Sequence, residues 1–349
     1  MEAYLVDAQE WAHQSVRYLT SKAPVDLFID LGRAVDRIAL PALKPVDDWL
    51  NRAGSAIAPQ GLPYFLKLFR SRFSVHAKYL PLKSASLVLV AVLLYFLIVM
   101  IGVLVMKLLP KFQAQSLMLA HNLFLLTLSA YMGYGIITEA FKHGYSLFYN
   151  APDESSAGRQ MAKFIWLFYF SKVFEFIDTF IMVLKKNNRQ ISFLHVYHHS
   201  TIFIIWWLAV LLQPTGSSYF SAAYNSLIHV VMYGYYFLSG IGVKSVSLIK
   251  RYITVMQMTQ FTLMMIQSIV IMYHTFPQIV DLASWTIRHT RDQFKADPRV
   301  DISFWLAALL CVYMWSMLGL FGNFFIQEGK RQRALRGQAK HQAKTKKTK

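Results

Sequence analysis

Charge and cysteine are scarce in this 349-residue sequence. Charged residues make up 15% of it, where a soluble chain carries about 25%, and the deficit excludes an ordinary soluble surface. Acids are the rarer sign, 18 against 36 Lys and Arg, for a formal net charge of +18. The single cysteine, Cys311, excludes an internal disulfide. There is no N-x-S/T sequon, and Met1–Glu10 has neither the basic start nor the apolar core of a cleaved signal peptide. No internal repeat is visible, which argues against the duplicated transporter folds. A basic protein can be a nucleic-acid binder, but half of the positive excess lies in Lys330–Lys349, with nine Lys or Arg and no acid. That distribution reads as a solvated, disordered tail able to rest on anionic headgroups, not as a nucleic-acid site.

What is abundant is apolar: 55% hydrophobic and 15% aromatic residues, gathered into runs near the roughly 20 residues that cross a bilayer. Seven such segments follow one another: Leu87–Met106, Leu117–Ile137, Ala162–Leu184, Phe193–Gln213, Tyr219–Ser239, Tyr252–Tyr273 and Phe304–Phe325. The expected fold class is an all-α integral membrane protein with seven transmembrane helices. Residues 1–80 read as an N-terminal amphipathic region, either interfacial or a small cytosolic or lumenal cap, in which Tyr4–Leu19 and Val25–Leu50 read as short helices broken by Pro24, Pro41 and Pro45. Residues 81–328 form the seven-span domain and 329–349 the basic tail. Lys185, Lys186 and Arg189, then Lys244, Lys250 and Arg251, share a face with that tail, and the positive-inside rule makes it cytosolic. Lys67, Arg70, Arg72, Lys78 and Lys83 pull the other way. Lysines at the third and fourth places from the end, Lys346 and Lys347, fit dilysine retrieval to the endoplasmic reticulum, which is read from the cytosol and so favours a cytosolic C-terminus.

Polar groups inside spans are expensive, about 2.5–3.5 kcal/mol for a charge even on lenient scales, so they should face the bundle interior. Here they come in stripes. His195, His198 and His199 form H-x-x-H-H, three imidazoles on one helical face. Lys172, Glu175 and Asp178 follow at three-residue steps, with Thr179 returning to the same face. A Lys172–Glu175 pair that only lowers insertion cost would leave Asp178 unpaired, and imidazole N–H groups are the nearest donors for it. Asn225 and His229 are four apart, with Tyr233 and Tyr236 continuing the stripe; Gln257, Gln260, Met264 and Gln267 form another. The tyrosines also fit an aromatic belt, and the glutamines also fit interhelical glue.

In one dry cavity these parts suit acyl transfer. A neutral imidazole serves as general base or as nucleophile toward a thioester. Asp178 or Glu175 can fix its tautomer, and Asn225, His229 and the glutamines can stabilise an oxyanion or enolate. H-x-x-H-H also occurs in di-iron desaturases and hydroxylases, but only five of the eleven histidines lie in the spans: His121, His195, His198, His199 and His229. A single-metal site and a solute or proton transporter stay open on these residues alone.

The motifs resemble the ELO family of fatty acid elongases over about residues 80–328. Lys172, Glu175, Asp178 and Thr179 are similar to its K-x-x-E-x-x-D-T, and His195, His198 and His199 to its histidine box. Asn225, His229, Met232 and Tyr233 are similar to N-x-x-x-H-x-x-M-Y; Thr254, Gln257, Gln260 and Phe261 to T-x-x-Q-x-x-Q-F; and His121-Asn122 to its second-span pair. Ser247-Leu248-Ile249 replaces the paired tryptophans usual before the sixth span.

The resemblance implies six of the seven helices enclosing a narrow substrate tunnel closed towards the lumen, with no metal and no cofactor. It implies a very-long-chain 3-oxoacyl-CoA synthase joining acyl-CoA to malonyl-CoA and releasing carbon dioxide and CoA. Under it, His198 is the acyl acceptor, or alternatively a base only, with His195 and His199 shaping the cluster. Asp178 and Glu175 orient imidazoles, and Lys172 pairs with them or with a substrate anion. His229 and Asn225 stabilise the enolate, while Tyr233, Gln257, Gln260, His121 and Asn122 line the substrate. Lys185–Leu194 and Ser200–Phe203 are similar to the polyunsaturated-acyl elongases of algae and protists; a saturated or monounsaturated substrate is the alternative. Implied partners are membrane lipid, the reductase and dehydratase of the elongation cycle, and a second copy in a homodimer.

Overall fold

The computed structural model describes residues 21–57, 69–281, 286–287 and 299–347. Among these the chain is helical apart from one antiparallel ladder, Val280–Asp281 with Thr286–Ile287. An N-terminal helix α1 (Pro24–Ile57) precedes α2 (Ala85–Leu108), α3 (Gln115–Lys142), α4 (Arg159–Leu184) and α5 (Phe193–Leu212). Then follow α6 (Ser218–Gly240), α7 (Lys250–Ile279) and α8 (Val300–Lys347). Each expected apolar segment coincides with one of α2 to α8, with Gln213 capping α5 from just outside it. Five helices, α2, α3, α5, α7 and α8, are both long and apolar enough to cross a membrane. The other two have the length, 26 residues in α4 and 23 in α6, but carry the polar clusters that dilute their apolarity.

Packing order follows from those compositions. Helix α2 is uniformly apolar and leaves Leu93, Leu94, Met100, Ile101 and Leu104 exposed, as a helix bathed in lipid would. Helix α4 is enclosed, with Met161 to Lys172 nearly all buried. The neighbour relations close a circle, α3–α4–α5–α8–α7–α6 and back to α3, with α2 standing outside against α4 and α5. Aromatic pairs hold α4 against α5: Tyr169 stacks on Phe203 at 5.1 Å between centroids, and Phe168 meets Trp206 edge to face at 4.5 Å. Between α3 and α4 the fit is tight enough that a Cβ on Gly135 would lie 2.2 Å from the Phe164 ring.

The segment before α2 is pinned by the polar ends of buried aromatics. Trp166 Nε1 donates to the Pro81 carbonyl (2.9 Å), Tyr169 Oη to that of Leu82 (3.1 Å) and Trp207 Nε1 to that of Lys83 (3.0 Å). Leu82 takes a left-handed φ of 59°, a conformation that costs a non-glycine residue energy and persists when its surroundings over-determine it. Here the Asp36 carboxylate of α1 receives the Leu82 N–H at 2.9 Å. Burial lowers the Lys83 ammonium below the ordinary lysine value, and Asp36 opposes that shift.

Two expectations are corrected. Helix α1 is continuous through Pro41 and Pro45 instead of breaking at them. Both prolines and Arg37 lie on its exposed side, so water can satisfy the carbonyls that the missing N–H groups release. The basic tail is not irregular: α8 runs unbroken to Lys347, because Ala, Gln, Arg and Lys are good helix formers and no proline interrupts them. The expected Tyr4–Leu19 helix lies outside the described residues. The start of α1 is anchored through buried Val25 and Ile29, and Gly32 sits where a Cβ would fall 2.7 Å from Pro81 and 2.9 Å from Trp166. Further along, Leu31, Val35, Ile38, Ala42 and Trp49 form one exposed apolar stripe.

At the same end of the bundle, Arg299 ties four stretches together. Its guanidinium pairs with Glu154 (2.6 Å) and donates to the carbonyls of Arg72 (2.7 Å) and Leu212. Glu154 also accepts from Ser74 Oγ and the Val75 N–H, and Arg72 pairs with Asp301 at 3.0 Å.

Candidate active site

The polar positions of α4 are held by two separate sets of partners. Lys172 and Glu175 are three apart on one helical face, and their side chains meet at 2.6 Å with almost no exposure. The Lys172 ammonium also reaches Asn225 Oδ1 at 3.5 Å and lies 4.0 Å from the Phe168 ring centroid. Glu175 Oε1 faces His229 Nδ1 at 3.4 Å. Helices α4 and α6 are thus joined by a Lys–Glu–His–Asn cluster.

Asp178 is partnered, but not by the histidine box. Its Oδ2 accepts from Tyr233 Oη at 2.8 Å, and its Oδ1 lies 3.0 Å from His121 Nε2 of α3, a close contact off the hydrogen-bond direction. The imidazole expected beside Asp178 is therefore that of His121, and the hydrogen bond to it comes from the Tyr233 phenol: Asp178 points at α3 and α6, whereas the adjacent Thr179, about 100° round the helix, faces α5. Thr179 Oγ1 meets His195 Nε2 at 2.7 Å and Tyr95 Oη of α2 at 3.1 Å.

The three box imidazoles do converge. Ser192 caps α5 and accepts the His195 N–H at 3.2 Å, which fixes the first turn. Ring centroids of His195 and His199 are 4.3 Å apart, and those of His198 and His199 5.4 Å. His198 Nδ1 lies 3.1 Å from Tyr313 Oη of α8, and His199 Nδ1 is buried with no hydrogen-bond partner among the described residues. Among the described residues no three His, Cys, Asp or Glu side chains are placed to hold one metal ion.

The glutamine stripe contacts methionine more than the cluster. Gln257 Nε2 points at Met232 Sδ (3.7 Å) and Gln260 Nε2 at Met264 Sδ (3.8 Å), while Gln267 Nε2 donates to the Leu147 carbonyl (3.3 Å). Gln260 Oε1, like His199 Nδ1, is buried without a hydrogen-bond partner among the described residues. Asn122 is buried on α3 beside His121. Sequence reasoning missed Tyr95 and Tyr313, phenols within largely apolar runs. Their signal was position: each falls mid-helix, away from the interfacial belts, where a buried phenol needs a partner.

The arrangement joins a trio of imidazoles to two carboxylates, a lysine and neutral amide donors, the order of residues that the ELO motifs carry. The ELO description, GNS1/SUR4 family, matches residues 80–336. The chain belongs to this family. Among ELO proteins it is 42% identical to "Fatty acid elongase 6" of Leishmania major over 267 residues, 75% of this chain and 65% of that protein. It is 38% identical to "Very long chain fatty acid elongase 5" of Xenopus tropicalis over 238 residues, 67% of this chain and 72% of that protein. The protein of that same name from Tachysurus fulvidraco is 41% identical over 194 residues, 63% of its length. The aligned part is thus a little under two thirds of the Leishmania and Tachysurus proteins.

Proposed function

We propose that this ELO protein is the condensing enzyme of fatty acid elongation, joining a long-chain, polyunsaturated acyl-CoA to malonyl-CoA to give 3-oxoacyl-CoA, carbon dioxide and CoA. The observation that carries the reading is the convergence of the box imidazoles beside the Lys172–Glu175–His229 cluster, within a helix ring whose outer surface is apolar. His198 Nε2 attacks the thioester carbonyl, the C–S bond breaks, and CoA leaves with a proton. Malonyl-CoA then loses carbon dioxide, its enolate carbon attacks the acyl-imidazole, the C–N bond breaks, and the released ring takes up a proton from the medium to become the free imidazole again. His229 and Asn225, poised by Glu175 and Lys172, stabilise the enolate oxygen. Asp178, His121, Tyr233 and the glutamines line the substrate. His199 Nδ1 and Gln260 Oε1, which have no hydrogen-bond partner among the described residues, support this as buried polar atoms that substrate would complete.

In the same reading, α2 to α8 are seven spans, six of them around a substrate tunnel. The protein resides in the endoplasmic reticulum membrane with its tail in the cytosol, and α1 lies on the opposite interface with its exposed stripe in lipid. Its 3-oxo product requires a reductase and then a dehydratase. The test is purified protein given acyl-CoA alone and then labelled malonyl-CoA. An acyl adduct by intact mass followed by 3-oxoacyl-CoA is expected, and both should vanish in His198→Ala. An unmodified native protein that still condenses would remove the nucleophile role. No condensation with any acyl-CoA would remove the reading.

A further inference from the structure

The first turns of α1 and α4 carry charge at helical spacing. Asp26, Asp30 and Arg33 follow at steps of four and three residues on α1, and Arg159 and Lys163 at a step of four on α4. Between them lies a cavity of about 390 Å³, completed by Lys22 and by the short stretch that leads into α2. That is many times the roughly 30 Å³ that one water occupies in the liquid. Its apolar side is made by Ile29, Leu80 and Ala162, all buried.

The charges around this space do not balance. Lys163 pairs with Asp26 at 2.7 Å and Lys22 with Asp30 at 2.5 Å, which gives each carboxylate one cation. Two guanidinium groups are left over. Arg33 shares Asp30 with Lys22, at 3.1 Å, and also donates to the Tyr79 carbonyl at 3.3 Å. Arg159 lies over the Tyr79 ring, 5.4 Å from its centroid, and makes no ion pair among the described residues. Arg33 and Arg159 thus meet the same residue of the rim from two helices. His76 Nε2 donates to the Asp153 carbonyl at 2.8 Å and is already occupied. Pinning α1 to α4 takes one cation for each acid; four cationic side chains against two carboxylates leave the cavity two charges positive.

We propose that this cavity binds the phosphate of an anionic glycerophospholipid, held by Arg159 and Arg33 with Lys22 and Lys163 beside it. The planar guanidinium fork suits phosphate oxygens, and two forks at one rim suit them better than a single surface lysine does. The surroundings favour a lipid over a free phosphate. Leu80 lies five residues before the start of α2, α1 packs on both α2 and α4, and Leu31 and Val35 beside Arg33 begin the exposed apolar stripe of α1. A headgroup in the cavity has apolar surface within reach of its acyl chains, and it would fasten α1 to the bundle at the membrane boundary. The site lies at the end of α4 away from Thr179 and the histidine box. It rests on the membrane placement proposed above and on none of the proposed chemistry.

The test is native mass spectrometry of the full chain in neutral detergent micelles, titrated with phosphatidic acid, phosphatidylcholine and, as a free phosphate, glycerol 3-phosphate. We expect one phosphatidic acid adduct, forming about tenfold more tightly than either of the other two. Arg159→Gln, which breaks no ion pair among the described residues, should weaken it about 10-fold or more. Arg333→Gln, at an exposed cation of the tail, should leave it within about twofold. Asp30→Asn should act the other way and tighten the complex several-fold, because it releases Lys22 and Arg33 to the phosphate. Phosphatidic acid should also raise the unfolding temperature of the native protein and leave that of Arg159→Gln unmoved. Equal affinity for phosphatidylcholine would overturn the proposal. So would an Arg159→Gln protein that binds like the native one, an Arg333→Gln protein that loses as much, or an Asp30→Asn protein that unfolds at the native temperature yet binds more weakly. Glycerol 3-phosphate bound as tightly as the lipid would assign the cavity to a soluble phosphate and overturn the lipid. Product formation is not read, so a protein without condensing activity leaves the result standing.

Discussion

Replacing Glu175 by Gln keeps the volume of the side chain and removes one charge, leaving the Lys172 ammonium in a place where only 2% of the lysine side chain is exposed. At 2.6 Å the lost attraction is about 6 kcal/mol for an effective dielectric of 20, an upper bound before compensation. What remains nearby, Asn225 Oδ1 at 3.5 Å and the Phe168 ring at 4.0 Å, recovers only part of that. Breaking a buried pair from one side costs roughly 3–5 kcal/mol, and the loss is bounded because an isolated buried ammonium can give up its proton instead. Removing both charges differs in kind: Lys172→Met with Glu175→Leu should return stability to within about 1 kcal/mol of native or above it. Condensation should remain lost in the double variant, because His229 has lost the carboxylate that orients it. Tryptophan fluorescence during an SDS titration of the protein in mixed micelles measures the stabilities, and product formation measures the activity. A Glu175→Gln protein as stable as the native one would refute the reasoning about burial. A double variant with native turnover would show that the pair serves only the fold.

Three further outcomes follow from particular contacts. Gly135→Ala places a methyl group 2.2 Å from the Phe164 ring, and the overpacking should cost about 1–3 kcal/mol in the same titration, whereas Gly319→Ala, which meets nothing within 4 Å, should cost nothing measurable. Arg299→Ala removes the guanidinium and leaves Glu154 to Ser74 and Val75 alone. Limited proteolysis should then cut within residues 69–75 or 153–159 at rates several-fold above native, and equal rates would show that the tie holds nothing. Trp49 is 60% exposed on the apolar stripe of α1. In a variant retaining only this tryptophan, brominated lipids should quench its emission in bilayers, and emission typical of water with no quenching would place the helix in solvent instead.

The bundle was legible because long apolar runs are a strong signal: each of the seven expected segments is a helix, and five of them are long and apolar enough to cross a membrane. Two misreadings share a cause. Pro41 and Pro45 and the basic tail were judged by local preference, yet in both places the helix is propagated from an anchored start: Val25, Ile29 and Gly32 at one end, the last span at the other. At the candidate site, helical spacing placed Lys172, Glu175 and the box residues on common faces. It could not say which neighbour each face would meet. Asp178 and Thr179 are adjacent in sequence but point to different helices, so one turns to His121 and Tyr233 and the other to His195. Tyr313 was passed over for a simpler reason: its place in mid-span hints at a partner, but the partner lies more than 100 residues away in sequence.

The Arg299 tie has a mechanical meaning for the whole bundle. It fastens the start of α8 to the end of α5, while the box histidines occupy the opposite half of α5, nearer the loop after α4. Any breathing that admits a bulky thioester headgroup must therefore pivot at the fastened end and widen at the other, as the jaws of a peg do. The contact between His198 Nδ1 and Tyr313 Oη lies on the free side of that pivot, so it is among the first to lengthen when the two helices part.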